Sequence, residues 1–327
     1  MGRRRDSLGG VSVAEAEPEM SASWAALFPG QGSQYVGMGR SLYDQSPEAR
    51  AVFDEADERL GYAQRKLLWE GPEETLRRTE VQQPAILTVS VAVWRAVQWP
   101  RPPVGAVGLS LGEYSALVAS GLMSFEDALR LVQVRSRAMQ EAVPAGAGGM
   151  TAVLGLGAAR VEELCREASE AGWVEPANYN APGQLVASGE TPGLDRLEEL
   201  VARAGGRTVR LSVSAPFHSR LLGSAEEPLR HALERVSWRE GRFPVMANVD
   251  GHPVLRGEEA VPRLIQQVSR PVRFEQAGRG LLADGVRRFV EVGPGRSLTS
   301  LIRKLDRQAR AAAVEAPDSF AAALELL

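Results

Sequence analysis

Residues 103–116, PVGAVGLSLGEYSA, set a short apolar run, a serine between two glycines and a helical pattern in immediate succession. That order constrains the fold: a chain leaving a buried strand turns sharply and enters a helix, the repeating unit of α/β proteins. The spacing G-x-S-x-G thrusts Ser110 outward, and Gly108 and Gly112 let neighbouring backbone approach where a Cβ would intrude. A bare G-x-S-x-G also arises in glycine-rich loops, so the rest of the chain must decide whether Ser110 is a nucleophile.

The flanking segments extend the α/β pattern. SWAALF (23–28) reads as a buried strand running into the glycine-rich loop PGQGSQ. Ser46 as N-cap, Pro47 at the first helical position and Gly61 past the end bracket a helix. A second helix is expected over 84–98, and SFED (124–127) opens a third as a capping box. The middle then changes rhythm: MTAVLGL (150–156), a helix over 158–171, strands WVEPANYN and QLVASG around the turn APG, a helix over 193–204, and RTVRLSV (207–213). This β-α-β-β-α-β order is ferredoxin-like, and strand and helix patterns resume after it, so it reads as an insertion. The expected organisation is a tail (1–22), a larger α/β domain in two parts (23–146 and 214–312), the insert (147–213) and a C-terminal tail (313–327).

Composition removes several function classes. With 327 residues, 44% of them hydrophobic and 24% charged, the chain can bury a sizeable core. A net charge of −3 gives no footprint for nucleic acid. The apolar run AILTVSVAVW (85–94) is cut short by Arg95, well below membrane-spanning length. The single cysteine, Cys165, excludes an internal disulfide and a cysteine-built metal site, and its helical setting reads as a packed thiol. The tail 1–22 carries early arginines but no apolar stretch after them, which speaks against a secretory signal and for the cytoplasm, with Met20 a second candidate start.

A serine hydroxyl needs a neighbouring base to act at neutral pH. Of the three histidines, His231 lies in a plain helical stretch and His252 in a polar turn. His218, in SVSAPFHSR, follows a strand pattern, where groups of open α/β sheets gather. A general base and a satisfied structural histidine both fit it. An acidic third member is hard to find: Asp127 reads as a helix cap and Asp195 as the start of a helix, while Glu113 lies one helical turn from Ser110. The pattern is a serine–histidine dyad whose imidazole is oriented by something other than a carboxylate.

Together, FPGQGSQYVGMG (28–39), GLSLGEYSALVASG (108–121), ANYNAPGQ (177–184), SAPFHS (214–219) and EVGPG (291–295) resemble the malonyl-CoA:acyl carrier protein transacylases, a family that includes polyketide synthase acyltransferases. The resemblance implies an α/β-hydrolase-like large domain carrying the ferredoxin-like insert. It implies Ser110 as the acylated nucleophile, His218 as base, and the backbone carbonyl of Gln267 orienting His218. The N–H groups of Gln31 and Leu111 would bind the oxyanion. Arg135 would hold the malonyl carboxylate, for which a guanidinium fork is suited; its alternative is a solvated helix arginine, which is the reading for Arg137. Phe217 matches a position where a bulky ring fills the space of an α-methyl group, and Asn180 and Gln184 match positions near the substrate. Leu109 departs from the histidine or glutamine that many members carry before the nucleophile, and so removes a hydrogen bond there.

The implied partners are malonyl-CoA and a phosphopantetheinylated acyl carrier protein, with neither nucleic acid nor membrane, and the expected state is a monomer. No metal or redox cofactor is required. Arg296, Arg303 and Lys304 are candidates for meeting an acidic carrier protein, or simply a solvated helix face. An acyl hydrolase of the same fold and a docking module with a dead site are the competing readings.

Overall fold

The computed structural model describes residues 23–144, 146–213 and 215–327. The expected N-terminal tail and Ser214 lie outside the described residues. Ten strands occur along them: β1 (Trp24–Phe28), β2 (Gly105–Gly108), β3 (Gly148–Leu154), β4 (Val174–Ala181), β5 (Gln184–Glu190), β6 (Arg207–Arg210), β7 (Val245–Met246), β8 (Pro253–Val254), β9 (Arg288–Val292) and β10 (Arg310–Val314).

Two sheets divide them. The larger has the order β10-β9-β1-β2-β7-β8, parallel except for the β7–β8 edge. Side chains of β1 alternate between two apolar clusters: Trp24, Ala26 and Phe28 enter one, Ala25 and Leu27 the other, and all five are fully buried. A parallel sheet covered on both faces requires such continuous apolar runs. Burial of one large side chain such as Phe28 contributes about 1.5–3 kcal/mol.

The smaller sheet is antiparallel, with the order β4-β5-β3-β6. Helices Ala158–Ala168 and Thr191–Arg203 supply Leu164, Cys165, Leu197 and Val201 to a core with Val153, Leu185 and Ala187. Cys165 is packed there, and burial pushes its thiol up to about 12. Val272, in the segment leading into the helix Phe274–Ala283, pairs with β4 through Tyr179 N–H to Val272 O and Val272 N–H to Ala177 O, each 2.8 Å.

Helix punctuation follows the sequence at Ser46, whose hydroxyl accepts from Ala49 N–H, and at Gly61, with φ 73°. Ser124 likewise accepts from Asp127 N–H at 3.0 Å. Two expectations need correction. The helix expected over 84–98 is Thr79–Ala96, with Pro84 inside it. Pro84 forfeits one helical hydrogen bond, but burial of nearly the whole segment from Thr79 to Val93 outweighs that loss. The stretch 313–327 is no tail. Val314 completes β10, and the helix Phe320–Leu326 buries Ala323 against the core. Among the described residues, no helix is long and apolar enough to cross a membrane.

Candidate active site

The carboxyl ends of β1, β2 and β7 open on one edge of the larger sheet, and the expected site residues gather there. Ser110 leaves β2 and precedes the helix Gly112–Ser120 with φ 55°. The turn is possible because its flanks lack side chains: a Cβ on Gly108 would lie 1.9 Å from Gly112 C, and one on Gly112 2.0 Å from Phe28 O. His218, also at positive φ (60°), reaches Ser110 Oγ with Nε2 at 2.6 Å. Such backbone costs about 1–3 kcal/mol per residue and persists only where the surroundings enforce it.

Surrounding groups enforce it here. The Nδ1 of His218 lies 2.7 Å from the carbonyl of Gln267. A carbonyl only accepts, so Nδ1 carries the proton and Nε2 presents its lone pair to the serine hydroxyl. Asn248 Oδ1 accepts from Ser110 N–H at 2.7 Å, and Asn248 Nδ2 donates to Gly108 O at 2.7 Å. One amide therefore clamps the turn on both sides of the serine.

Arg135, on the helix Phe125–Glu141, is only 1% exposed, so the solvated reading fails for it; Arg137 is exposed, two positions on. Arg135 donates from Nη1 to Gln83 Oε1 (2.7 Å) and from Nη2 to Gln267 Oε1 (2.8 Å) and Ser110 Oγ (3.0 Å). Its guanidinium lies 5.4 Å from the ring centre of Tyr114. Burial, with the charge of Arg135 second, lowers His218 to about 3, against a weaker opposing pull from the Gln267 carbonyl. The imidazole is thus neutral at pH 7 and able to take a proton. Burial raises Glu113 to about 7, opposed by hydrogen bonds from Gln267 and Asn248 and by Arg135.

A cavity of about 550 Å³ opens above Ser110 and His218. Gln31 lines it half-buried and accepts from Gln83 Nε2 at 3.3 Å, while Leu111 is fully buried behind the serine. Phe217, Asn180 and Gln184 line it as well, the last two from the smaller sheet. Asn180 Oδ1 is buried without a partner, whereas Gln184 Oε1 accepts from Lys304 Nζ at 2.5 Å. Arg303 donates to Ala311 O at 2.6 Å, and Arg296 is exposed beside Ser297 at the cavity wall. His231 and His252 stand apart as exposed rings, beside Glu227 and the half-buried Asp250. A larger cleft of about 860 Å³, around Trp94, Trp99 and Arg242, contains no serine or histidine.

Sequence reading missed Asn248 and Gln83. Asn248 follows β7 where site loops gather, and Gln83 is a polar residue in an otherwise apolar helix; both signals were there to be weighed. It also left the carboxylate of Glu291, in EVGPG, without a role. Glu291 is fully buried and accepts from Leu298 N–H (3.1 Å) and Thr299 N–H (2.8 Å), capping the helix Ser297–Leu305.

The arrangement is a hydroxyl hydrogen-bonded to a neutral imidazole beside a buried cation, at the wall of the cavity of about 550 Å³. The acyl transferase domain family matches residues 26–317. The malonyl CoA-acyl carrier protein transacylase of Bacillus subtilis (strain 168) is 42% identical over 306 residues, covering 93% of this chain and 96% of the relative. The acyl-carrier-protein S-malonyltransferase of Burkholderia pseudomallei 1710b superposes with a TM-score of 0.90 at 40% identity, over 93% of this chain and 99% of that one. A malonyl-transacylase solved in complex with a type II polyketide synthase acyl-carrier protein gives 0.89 at 38% identity, with the same coverage. This chain belongs to the acyl transferase domain family.

Proposed function

We propose that this chain transfers malonyl from coenzyme A to the phosphopantetheine thiol of an acyl carrier protein, for fatty acid or polyketide synthesis. The observation that carries this reading is the chain of contacts from Gln267 O through His218 to Ser110 Oγ, with Arg135 donating to the same oxygen.

Ser110 Oγ attacks the thioester carbonyl while His218 Nε2 takes its proton. The N–H groups of Gln31 and Leu111 hold the resulting oxyanion, each such donor being worth about 2.7–4 kcal/mol of barrier. Collapse expels the coenzyme A thiolate, which takes the proton from His218, and leaves a malonyl ester on Ser110. The carrier thiol then gives its proton to His218 and attacks that ester, and the proton returns to Ser110 as the ester breaks. Arg135 pairs with the malonyl carboxylate. That pairing offsets the positive charge that depresses His218, so the base strengthens when substrate is in place. Phe217 fills the space an α-methyl group would need.

In fold terms, we read the larger unit as α/β-hydrolase-like and the insert 147–213 as ferredoxin-like. The strand order β4-β5-β3-β6, with one helix following β3 and one following β5 along the chain, supports the second assignment. We also read the chain as acting as a monomer.

Intact mass after mixing with malonyl-CoA tests the reading. One malonyl unit should appear on the protein and move to a carrier protein carrying phosphopantetheine when that is added. Loss of the malonyl group to water at an equal rate would make the protein an acyl hydrolase instead.

A further inference from the structure

Glu113 is 3% exposed, and the mechanism above gives it no task. Its Oε2 accepts from Gln267 Nε2 at 2.6 Å and from Asn248 N–H at 3.2 Å. The same Gln267 Nε2 donates to Ser110 O at 3.0 Å, and Gln267 Oε1 accepts from Arg135 at 2.8 Å. Every partner fixes the amide the same way round: two acceptors meet its NH2 and one cationic donor meets its oxygen. Carboxylate, amide and guanidinium therefore form one buried series, in which each polar contact polarises the next.

The arrangement answers a problem that Arg135 poses. A buried guanidinium without a counter-ion is costly, yet a carboxylate touching it would occupy the groups that a substrate carboxylate needs. The hydrogen-bond partners of Arg135 are Gln83, Gln267 and Ser110, none of them an acid. Among the groups whose charge acts on it, Glu113 is the carboxylate, and it acts from the far side of the Gln267 amide. Once Glu113 is ionised, above about pH 7, its negative charge supports the cation without displacing it from Ser110 Oγ.

We propose that Glu113, acting through the side-chain amide of Gln267, is the positioning residue that keeps Arg135 charged and oriented for the carboxylate of the incoming acyl group. This rests on the reading of Arg135 as the carboxylate clamp. The side chain and the backbone of Gln267 then have separate jobs: the amide serves selectivity, and the carbonyl holds the base.

The test is competitive loading at pH 8, above the titration of Glu113, with equimolar malonyl-CoA and acetyl-CoA, read as the ratio of the two acyl-proteins by intact mass. Glu113→Gln retains an oxygen acceptor for Gln267 and Asn248 but removes the charge. Its malonyl-to-acetyl ratio should fall about 5- to 30-fold, the range of one or two kcal/mol. Gln267→Met breaks the relay at its middle, leaves the carbonyl on His218, and should lower the ratio likewise. It decides the matter alone should Glu113→Gln not fold. An unchanged ratio, whatever the total loading, would make Glu113 a packing residue and overturn the proposal. Arg135→Ala separates the two readings. If its ratio is unchanged, the clamp itself is lost; if its ratio collapses while the other two variants keep theirs, only the relay is lost.

Discussion

On the helix Thr191–Arg203 that packs on the four-stranded sheet, charged side chains pair at the surface: Arg210 of β6 with Asp195 and Glu198, Arg196 with Glu199. At the carboxyl edge of the six-stranded sheet the reverse holds. Glu113, Arg135, His218 and Gln267 are all buried and lie within one connected set of hydrogen bonds. Backbone strain divides the same way, since among the described residues Ser110 and His218 are the non-glycine residues with positive φ. Burying charge and holding strain both cost stability, so they concentrate where chemistry needs a dry, fixed environment. The smaller sheet lends that environment a wall, through Asn178, Asn180, Gln184, Met150 and Val186. One unit carries the reaction; the other shapes the space above it.

The sharpest way to break this division is to remove the nucleophile. Ser110→Ala should abolish covalent loading by malonyl-CoA, measured as the mass shift of the intact protein. Label persisting on the alanine variant would place the acyl group on another residue. Next comes the base. His218→Ala should slow transfer by about 10²–10⁴-fold, the usual worth of general-base assistance. His231→Ala and His252→Ala remove exposed rings and should be nearly silent when transfer to the carrier protein is timed by stopped flow for all three variants. Equal losses at all three would reduce the His218 effect to one of stability.

A smaller effect is expected from the wall. Asn180 Oδ1 is buried, partnerless and on the cavity lining. Asn180→Ala should raise KM for malonyl-CoA by about 2- to 10-fold, the size of one neutral hydrogen bond, with kcat nearly kept. A loss in kcat comparable to that of His218→Ala would mean the smaller sheet takes part in the chemistry and would erase the distinction.

How much of this could be read in the sequence also follows the division. Ser110 announces itself because a strand-to-helix turn demands glycines at fixed offsets, and His218 because only three histidines compete. The alternation of the insert is local, so its elements were legible within a few residues. Asn248 was not, because it clamps a serine 138 positions away, and only the folded sheet brings the two together. Glu113 was visible but its role was not, since that role depends on an amide 154 positions on. The segment 313–327 misled for another reason: RAAAV and FAAAL are too short and too alanine-rich to show a period, and tertiary contact alone makes them strand and helix.

The last prediction sets buried charge against exposed charge through pH. His218 is about 3 when folded against an ordinary 6.5, so between those values the unfolded chain binds the extra proton and stability rises with pH. Glu113 is about 7 when folded against an ordinary 4.5, so from 4.5 to 7 the folded chain holds the extra proton and stability falls with pH. Between pH 4.5 and 6.5 the two oppose each other, each contributing a slope of up to about 1.4 kcal/mol per pH unit. Arg135 and Asp250 are the charged neighbours of Glu113. Glu113→Gln removes one of the opposing slopes. Its Tm relative to wild type should therefore climb as pH rises from 4.5 to 6.5, because the His218 contribution is no longer cancelled. Asp195→Asn supplies the contrast: its pair with Arg210 is exposed on both sides, and such pairs are worth about 0–1 kcal/mol. Its Tm difference from wild type should stay nearly flat over the same range. A flat difference for Glu113→Gln as well would mean that the buried carboxylate titrates like a surface one, and the contrast between the two sheets would then rest on backbone strain alone.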